Sequence, residues 1–280
     1  MYYIGISVNN AGAAGGADIG IVNGQTKSIT AREKICKCGN ITEACRNILK
    51  KTGLAAGDIG AIGVGMSARC GSIAEDLKNS FNGIPVYCER KANAAAAGEN
   101  QCGAGGNVPS LILVMLDEEV ECGMIIENKI YHGVNNSDAA LAHMVINYGG
   151  KECGCGRKGC FGAYVSTKGL MGSCGKFQCA QDVFKAASEG DTDARAMTDS
   201  YVGFLASGVT DIINIFQPDA LILGGEVSRA GDLLLNPLNA IVEREKYARH
   251  SSETTKIKTA SLDGTDAAII GAAMLGAQER

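Results

Sequence analysis

The sequence predicts an α/β protein of two domains, each built around its own sheet. Three observations carry that prediction. Strand-like segments, alternating or continuously apolar, take turns with segments of helical spacing along most of the chain. Residues 110–131 restart the strand-hairpin plan of residues 2–22, so the second half repeats the opening of the first. At 280 residues, 46% of them apolar, with 38 Gly and only 4 Pro, the chain is long enough to bury two cores.

Residues 2–8 alternate and are apolar enough for a buried strand, and residues 17–22 supply its hairpin partner after the turn-prone NNAGAAGG. Asn40 followed by Glu43 forms a capping box, after which Ile41, Ala44, Cys45, Ile48 and Leu49 recur at helical spacing until Gly53. Residues 58–66 read as a buried parallel-type strand, 73–81 as a short helix and 84–88 as another strand. Residues 91–103 are Ala-rich and helix-favouring, opening at a strand end as active-site helices of α/β folds do. GAGGNVP, residues 103–109, marks a domain boundary.

In the second half, residues 110–116, 122–126 and 129–131 are strands, and helices follow at 167–171, 179–189 and 194–216. The strand 220–223 runs into Gly224-Gly225, a turn that lets backbone approach a ligand. Residues 236–249 are helical, 256–259 form a short edge strand, and 267–277 form a helix of small apolar residues.

A net charge of −4 and a pI near 5.5, with only short, mixed basic clusters such as ERK and KYARH, argue against nucleic acid as a partner. MYYIGISV has neither the basic start nor the cleavage site of a signal peptide, and no apolar run approaches the roughly 20 residues of a membrane span. The expectation is a cytoplasmic protein without membrane contact. Its twelve cysteines are then expected to be reduced, three of them in the loop described next and others, such as Cys88 and Cys122, in apolar segments.

That loop lies between His143 and Ser166. His143, Cys153, Cys155 and Cys160 fall within eighteen residues, with Gly154, Gly156 and Gly159 among the thiols. Glycine-rich turns can aim both close-spaced sulfurs at one metal about 2.3 Å away, and Cys3His is the closed tetrahedral set of structural zinc.

HM followed by CxCGxxGC and Ser166 resembles the zinc motif of the ROK family of repressors, open reading frames and sugar kinases. ERKANAAAAGE (89–99) is similar to that family's active-site helix, and QPDALILGGEVS (217–228) to its nucleotide-binding segment. The resemblance implies a two-domain actin-like ATPase (ribonuclease H-like) fold with an inserted zinc loop. It puts the N-terminal domain at 1–108, completed by the helix 266–280, and the C-terminal domain at 109–265 with the zinc motif at 143–160. It further implies a homodimer, a sugar or nucleotide ligand, ATP with magnesium as cofactor, and Gly224 and Gly225 at the nucleotide.

The chain departs from the family pattern at five places. The first turn, which in ROK kinases carries an acid and then Gly-Gly-Thr, reads Ser7, Val8, Asn9, Asn10, Ala11. The helix start that should carry the sugar-binding Asn and the Asp base reads Arg90, Lys91, and a protonated lysine takes up no proton. The Gly/Thr-rich second phosphate loop is replaced by Asp117, Glu118, Glu119, Val120, Glu121 and Cys122, a solvated acidic stretch that would repel a triphosphate. Two sugar-binding glutamates fall on Ala140 and Gly162. No residue is therefore assigned as catalytic, and a non-catalytic binding, regulatory or structural protein is expected. The alternative is an ATP-dependent hexose kinase, for glucose or an N-acetylhexosamine, with an unusual active site. With no helix-turn-helix ahead of the first strand, the repressor branch is not expected.

Overall fold

Two sheets with the same strand order organise the computed structural model, which describes residues 1–9, 15–36, 41–67, 71–134, 140–172, 175–247 and 254–278. Asn10 and Ala11 of the first turn, the capping residue Asn40 and positions 248 and 249 lie outside them, and the helix expected over 236–249 is corrected to end at Glu245. Two compact units result. One comprises residues 1–107 and 261–280, the other 108–260.

In the first unit, β1 (Tyr2–Val8), β2 (Ala17–Asn23) and β3 (Ile29–Ile35) form an antiparallel meander. Helix α1 (Ile41–Thr52) leads to β4 (Ile59–Gly65), α2 (Gly71–Ser80) to β5 (Val86–Glu89), and α3 (Lys91–Cys102) closes the segment. β4 runs parallel to β1 and β5 parallel to β4, giving the order β3-β2-β1-β4-β5. The strand β3 was not legible. Its ITAREKI carries charge on both faces and lies half-exposed at the sheet edge, so it lacks the one-sided apolar alternation of a covered strand.

The second unit repeats the plan with β6 (Leu111–Leu116), β7 (Val120–Ile126) and β8 (Lys129–Ile130) as its meander. After α4 (Gly162–Val165), α5 (Thr167–Met171), α6 (Ala180–Ser188) and the long α7 (Thr192–Phe216) comes β9 (Ala220–Gly224), parallel to β6. Helix α8 (Asp232–Glu245) leads to β10 (Lys256–Thr259) and the order β10-β9-β6-β7-β8. The expected start of α8 at 236 is corrected to Asp232. Pro237, the sixth residue of the helix, removes one i→i−4 hydrogen bond, while Leu234, Leu238 and Val242 set the buried stripe from the first turn.

Helix α9 (Gly264–Gln278) belongs to the first unit, whose sheet it covers on one face. Ile269, Ile270, Ala273 and Met274 pack there with Tyr3, Val22 and Ala61. On the opposite face Ile4, Ile6, Ile19, Ile62 and Val64 meet Ile41, Cys45 and Ile48 of α1 and Leu77 of α2. In the second unit Ile112, Val114, Leu221 and Leu223 pack with Leu205, Val209 and Ile212 of α7 and with Phe161. Helices thus cover both faces of the first sheet, and the second unit's helices gather on one face of its own. Among the described residues, no helix is long and apolar enough to cross a membrane.

Candidate functional site

In the second unit a single turn at Leu141–His143 delivers His143, and a stapled hairpin delivers the three sulfurs. The hairpin is held by a bridge between Val145 and Cys160, by Ile146 N donating to the Gly159 carbonyl at 3.0 Å, and by Phe161 N donating to the Met144 carbonyl at 2.7 Å. At its tip Cys153 N donates to the Arg157 carbonyl and Gly156 N to the Cys153 carbonyl, each at 2.9 Å. Gly156 and Gly159 hold φ of +87° and +83°, left-handed values that a side chain would resist.

The four donor atoms lie within 4.8 Å of one another. Cys153 Sγ stands 3.5 Å from His143 Nδ1, and Cys155 Sγ stands 3.7 Å from Cys160 Sγ. A metal at about 2.3 Å from sulfur and about 2.0–2.1 Å from nitrogen has tetrahedron edges of about 3.6 Å (S to N) and about 3.8 Å (S to S). Both separations match, and the set can hold one metal ion. The Arg157 backbone amide holds the Cys155 thiol below its ordinary value, whereas burial pushes Cys160 up to about 11. Cys160 is followed by Phe161, fully buried in the core, so the ligand loop is tied to the fold at that end.

The glutamate positions beside this loop carry no acid. At Gly162 a side chain has little room, since its Cβ would stand 3.2 Å from the Ala142 carbonyl oxygen and 3.4 Å from Val120 Cβ.

Gly224 ends β9 and Gly225 turns the chain with φ +85°. A Cβ at Gly225 would meet Leu116 N at 2.7 Å and Asp117 Oδ1 at 2.8 Å, so only glycine fits against the β6–β7 turn. Asp117 Oδ1 accepts the amide of Glu226 at 2.7 Å, and the Glu226 carbonyl accepts Gln181 Nε2 at 3.0 Å. The expectation of a solvated 117–121 stretch holds for Glu118 and Glu119, which are exposed, and is corrected for Asp117, which turns inward onto that amide. The amide that follows the glycine pair therefore already has a carboxylate.

In the first unit Lys91 opens α3 and its Nζ donates to Asn9 Oδ1 at 3.0 Å. Asn9 Nδ2 donates to Asp18 Oδ2, also at 3.0 Å, and Lys34 Nζ lies 3.8 Å from Asp18 Oδ1. Arg90 donates from Nη1 to the Ser67 carbonyl at 3.2 Å, and Glu89 Oε1 accepts both Arg90 N at 2.6 Å and Asn93 Nδ2 at 3.0 Å. Ser7 is fully buried, and its Oγ has no hydrogen-bond partner among the described residues. Sequence reasoning missed Asp18. It pairs with Ser7 across the hairpin, so the first strand's missing acid has a neighbour on the second, which only the register of that hairpin could have revealed. No described geometry brings Gly224 and Gly225 together with the metal set.

The model of the ROK family matches residues 66–279. Among characterised relatives, the xylose repressor of Bacillus subtilis is 32% identical over 180 residues, which is 62% of this chain and 47% of the repressor. The glucokinase of Thermotoga maritima is 33% identical over 215 residues, 69% of this chain and 66% of the enzyme. The chain thus spans about half the length of the repressor and about two-thirds of the kinase. Among solved structures, the ROK hexokinase of Thermus thermophilus superposes with a TM-score of 0.83 at 21% identity over 100% of this chain and 99% of that one. A ROK glucokinase of Streptomyces griseus in complex with glucose and AMPPNP gives 0.76 at 24% identity over 99% and 100%. At these identities the superpositions speak to the fold, an α/β architecture of two mixed sheets shared with ROK sugar kinases.

Proposed function

The chain belongs to the ROK family, and from that premise we propose that it is a sugar-kinase homologue that has lost phosphoryl transfer and acts as a binding, regulatory or structural protein. The observation that carries this reading is Lys91. It stands where the family resemblance puts the aspartate base, and its ammonium is already a donor to Asn9, itself held by Asp18. A general base must accept the proton it removes, and a donor at that point takes the step away, typically at a cost of ~10²–10⁴ in rate.

Asp117 supports the same reading from the nucleotide side. A phosphate approaching Gly224 and Gly225 would meet a fixed carboxylate on the Glu226 amide, and losing preorganised charge stabilisation costs a further factor of about 10²–10³. The tight packing around Gly162 supports it from the sugar side, because a carboxylate there would need its neighbours to move.

In the same reading His143, Cys153, Cys155 and Cys160 hold one structural zinc. Thiolates with one imidazole favour that ion, two of the separations, 3.5 and 3.7 Å, fit its tetrahedron, and four protein donors leave no position open for substrate. The zinc ties the 141–143 turn to the hairpin that returns through Cys160.

The test is purified protein with ATP, magnesium and a panel of hexoses that includes glucose and the N-acetylhexosamines. Turnover is expected several orders of magnitude below the ~1–100 s⁻¹ common for kinases. A rate inside that range on any sugar overturns the proposal in favour of a hexose kinase with an unusual active site.

A further inference from the structure

We propose that Cys155 and Cys160 are a peroxide-sensitive pair whose oxidation to a disulfide releases the metal, making this loop a site of reversible covalent modification. The proposal rests on the metal assignment above and adds a chemistry to it.

Burial divides the four donors. Cys155 is exposed, His143 and Cys153 are half-buried, and Cys160 is fully buried. A small oxidant in solution therefore meets Cys155 first. The donors also divide by proximity. Cys155 Sγ stands 3.7 Å from Cys160 Sγ, while Cys153 Sγ, within 4.8 Å of both, is 3.5 Å from His143 Nδ1. Reaching a disulfide bond of about 2.05 Å requires the two sulfurs to close by less than ~2 Å. Between them lie Gly156, Arg157, Lys158 and Gly159, and the two glycines give this short segment freedom that other residues would not.

The chemistry balances with a hydroperoxide as the oxidant. The Cys155 thiolate attacks the O–O bond of hydrogen peroxide. An S–O bond forms, the O–O bond breaks, and the departing hydroxide takes up a proton and becomes water. The Cys160 sulfur then attacks the sulfenic sulfur, the S–S bond forms, the S–O bond breaks, and a second water leaves. Two sulfurs lose two electrons and one peroxide becomes two waters, the two protons coming from the thiols in metal-free protein and from solvent when the thiolates hold the metal. A metal left with one thiolate and one imidazole loses its closed coordination.

The consequence reaches the fold through Cys160. Its bridge to Val145 and the burial of Phe161 beside it join the loop to the core, and the Leu141–His143 turn lies against Gly162. Oxidation thus loosens the 140–162 region while the rest of the second unit stays folded.

The experiment uses the full chain as isolated, with its zinc content measured. A few equivalents of hydrogen peroxide are added while a chromogenic chelator reports free zinc and alkylation reports free thiols. The expected result is one zinc released and two thiols lost per chain, with reductant plus zinc restoring both. Trypsin should then yield residues 152–157 joined to residues 159–168, with Cys153 alkylated and Cys155 not. Protein stripped of metal by chelator without air is treated in parallel. If the isolated protein carries no zinc but the 155–160 link forms in the stripped sample, the metal reading fails and the thiol pair stands. Peroxide that leaves Cys155 and Cys160 alkylatable in both samples, or that links Cys153 to either of them, overturns the pair. Zinc retained through full formation of the link overturns its coupling to the metal.

Discussion

Glu99 is almost fully buried, at 1% exposure, yet it is a carboxylate on a helix of alanines. Both of its oxygens accept backbone amides. Oε1 accepts Leu262 N at 2.8 Å, and Oε2 accepts Ala104 N at 2.8 Å and Ser261 N at 3.3 Å. One side chain therefore holds the backbone on both stretches where the first unit joins the second in sequence. Glutamine in its place would turn an NH2 group toward amides that need an acceptor. Glu99→Gln is expected to cost about 2–3 kcal/mol, read as a lower denaturant midpoint with unchanged slope. Asp191 makes a milder case at the surface. It caps α7 by accepting Asp193 N at 3.0 Å and Ala194 N at 2.9 Å, and those amides, Ala194 foremost, together with Lys176 hold its carboxyl below the usual range. A depressed folded value means its contribution is complete above about pH 4 and is lost as pH falls through the folded value. Asp191→Ala should therefore lower the melting temperature more at pH 7 than at acid pH, the difference shrinking as pH falls below about 4.

At the scale of elements, α3 and α9 pack backbone to backbone. A Cβ on Gly271 would collide with the Ala94 carbonyl and stand 2.8 Å from Gly98 N, so glycine sets how closely the helices approach. Gly271→Val is expected to destabilise by about 3 kcal/mol, while Gly57→Ala, where nothing lies within 4 Å, should change stability by less than about 0.5 kcal/mol. Comparable melting temperatures for the two variants would refute this packing. Elements of this kind were legible where their signal is local. The spacing of Ile41, Ala44, Cys45, Ile48 and Leu49 is α1, and the run ALILG is β9. The Cys/His cluster that could hold a metal was legible for the same reason, because its four members lie in one loop. What could not be read depends on partners distant in sequence. The charged faces of β3 make sense only beside β2, and Asp18 acquires its place from a hairpin register. Asp117 looked solvated until its carboxylate was found on an amide 109 positions away. Lys91 and Asn9 meet across 82 positions that no periodicity connects.

At the scale of the whole molecule, the second unit is continuous and the first is not. The second unit's cluster around Phe161, Leu205 and Leu221 is drawn from residues 108–260 alone. The first unit's sheet borrows Ile269, Ile270 and Met274 from beyond it. Residues 108–260, supplied with zinc, are therefore expected to fold alone and unfold cooperatively in urea. Residues 1–107 are expected to gain a cooperative transition only when a peptide of residues 261–280 is added. A cooperative transition for residues 1–107 alone would refute that dependence.

The same interruption sets a timetable for biosynthesis. A ribosome completes β1, β2 and β4 early, but the helix that shields Tyr3, Val22 and Ala61 is made only after every residue of the second unit. While the later-made half can already close around its own core, the earlier-made half waits with an oily sheet surface turned to water. That interval is when a chaperone selective for apolar strands has something to grip, and it ends when Ile269, Ile270 and Met274 emerge to cover the sheet.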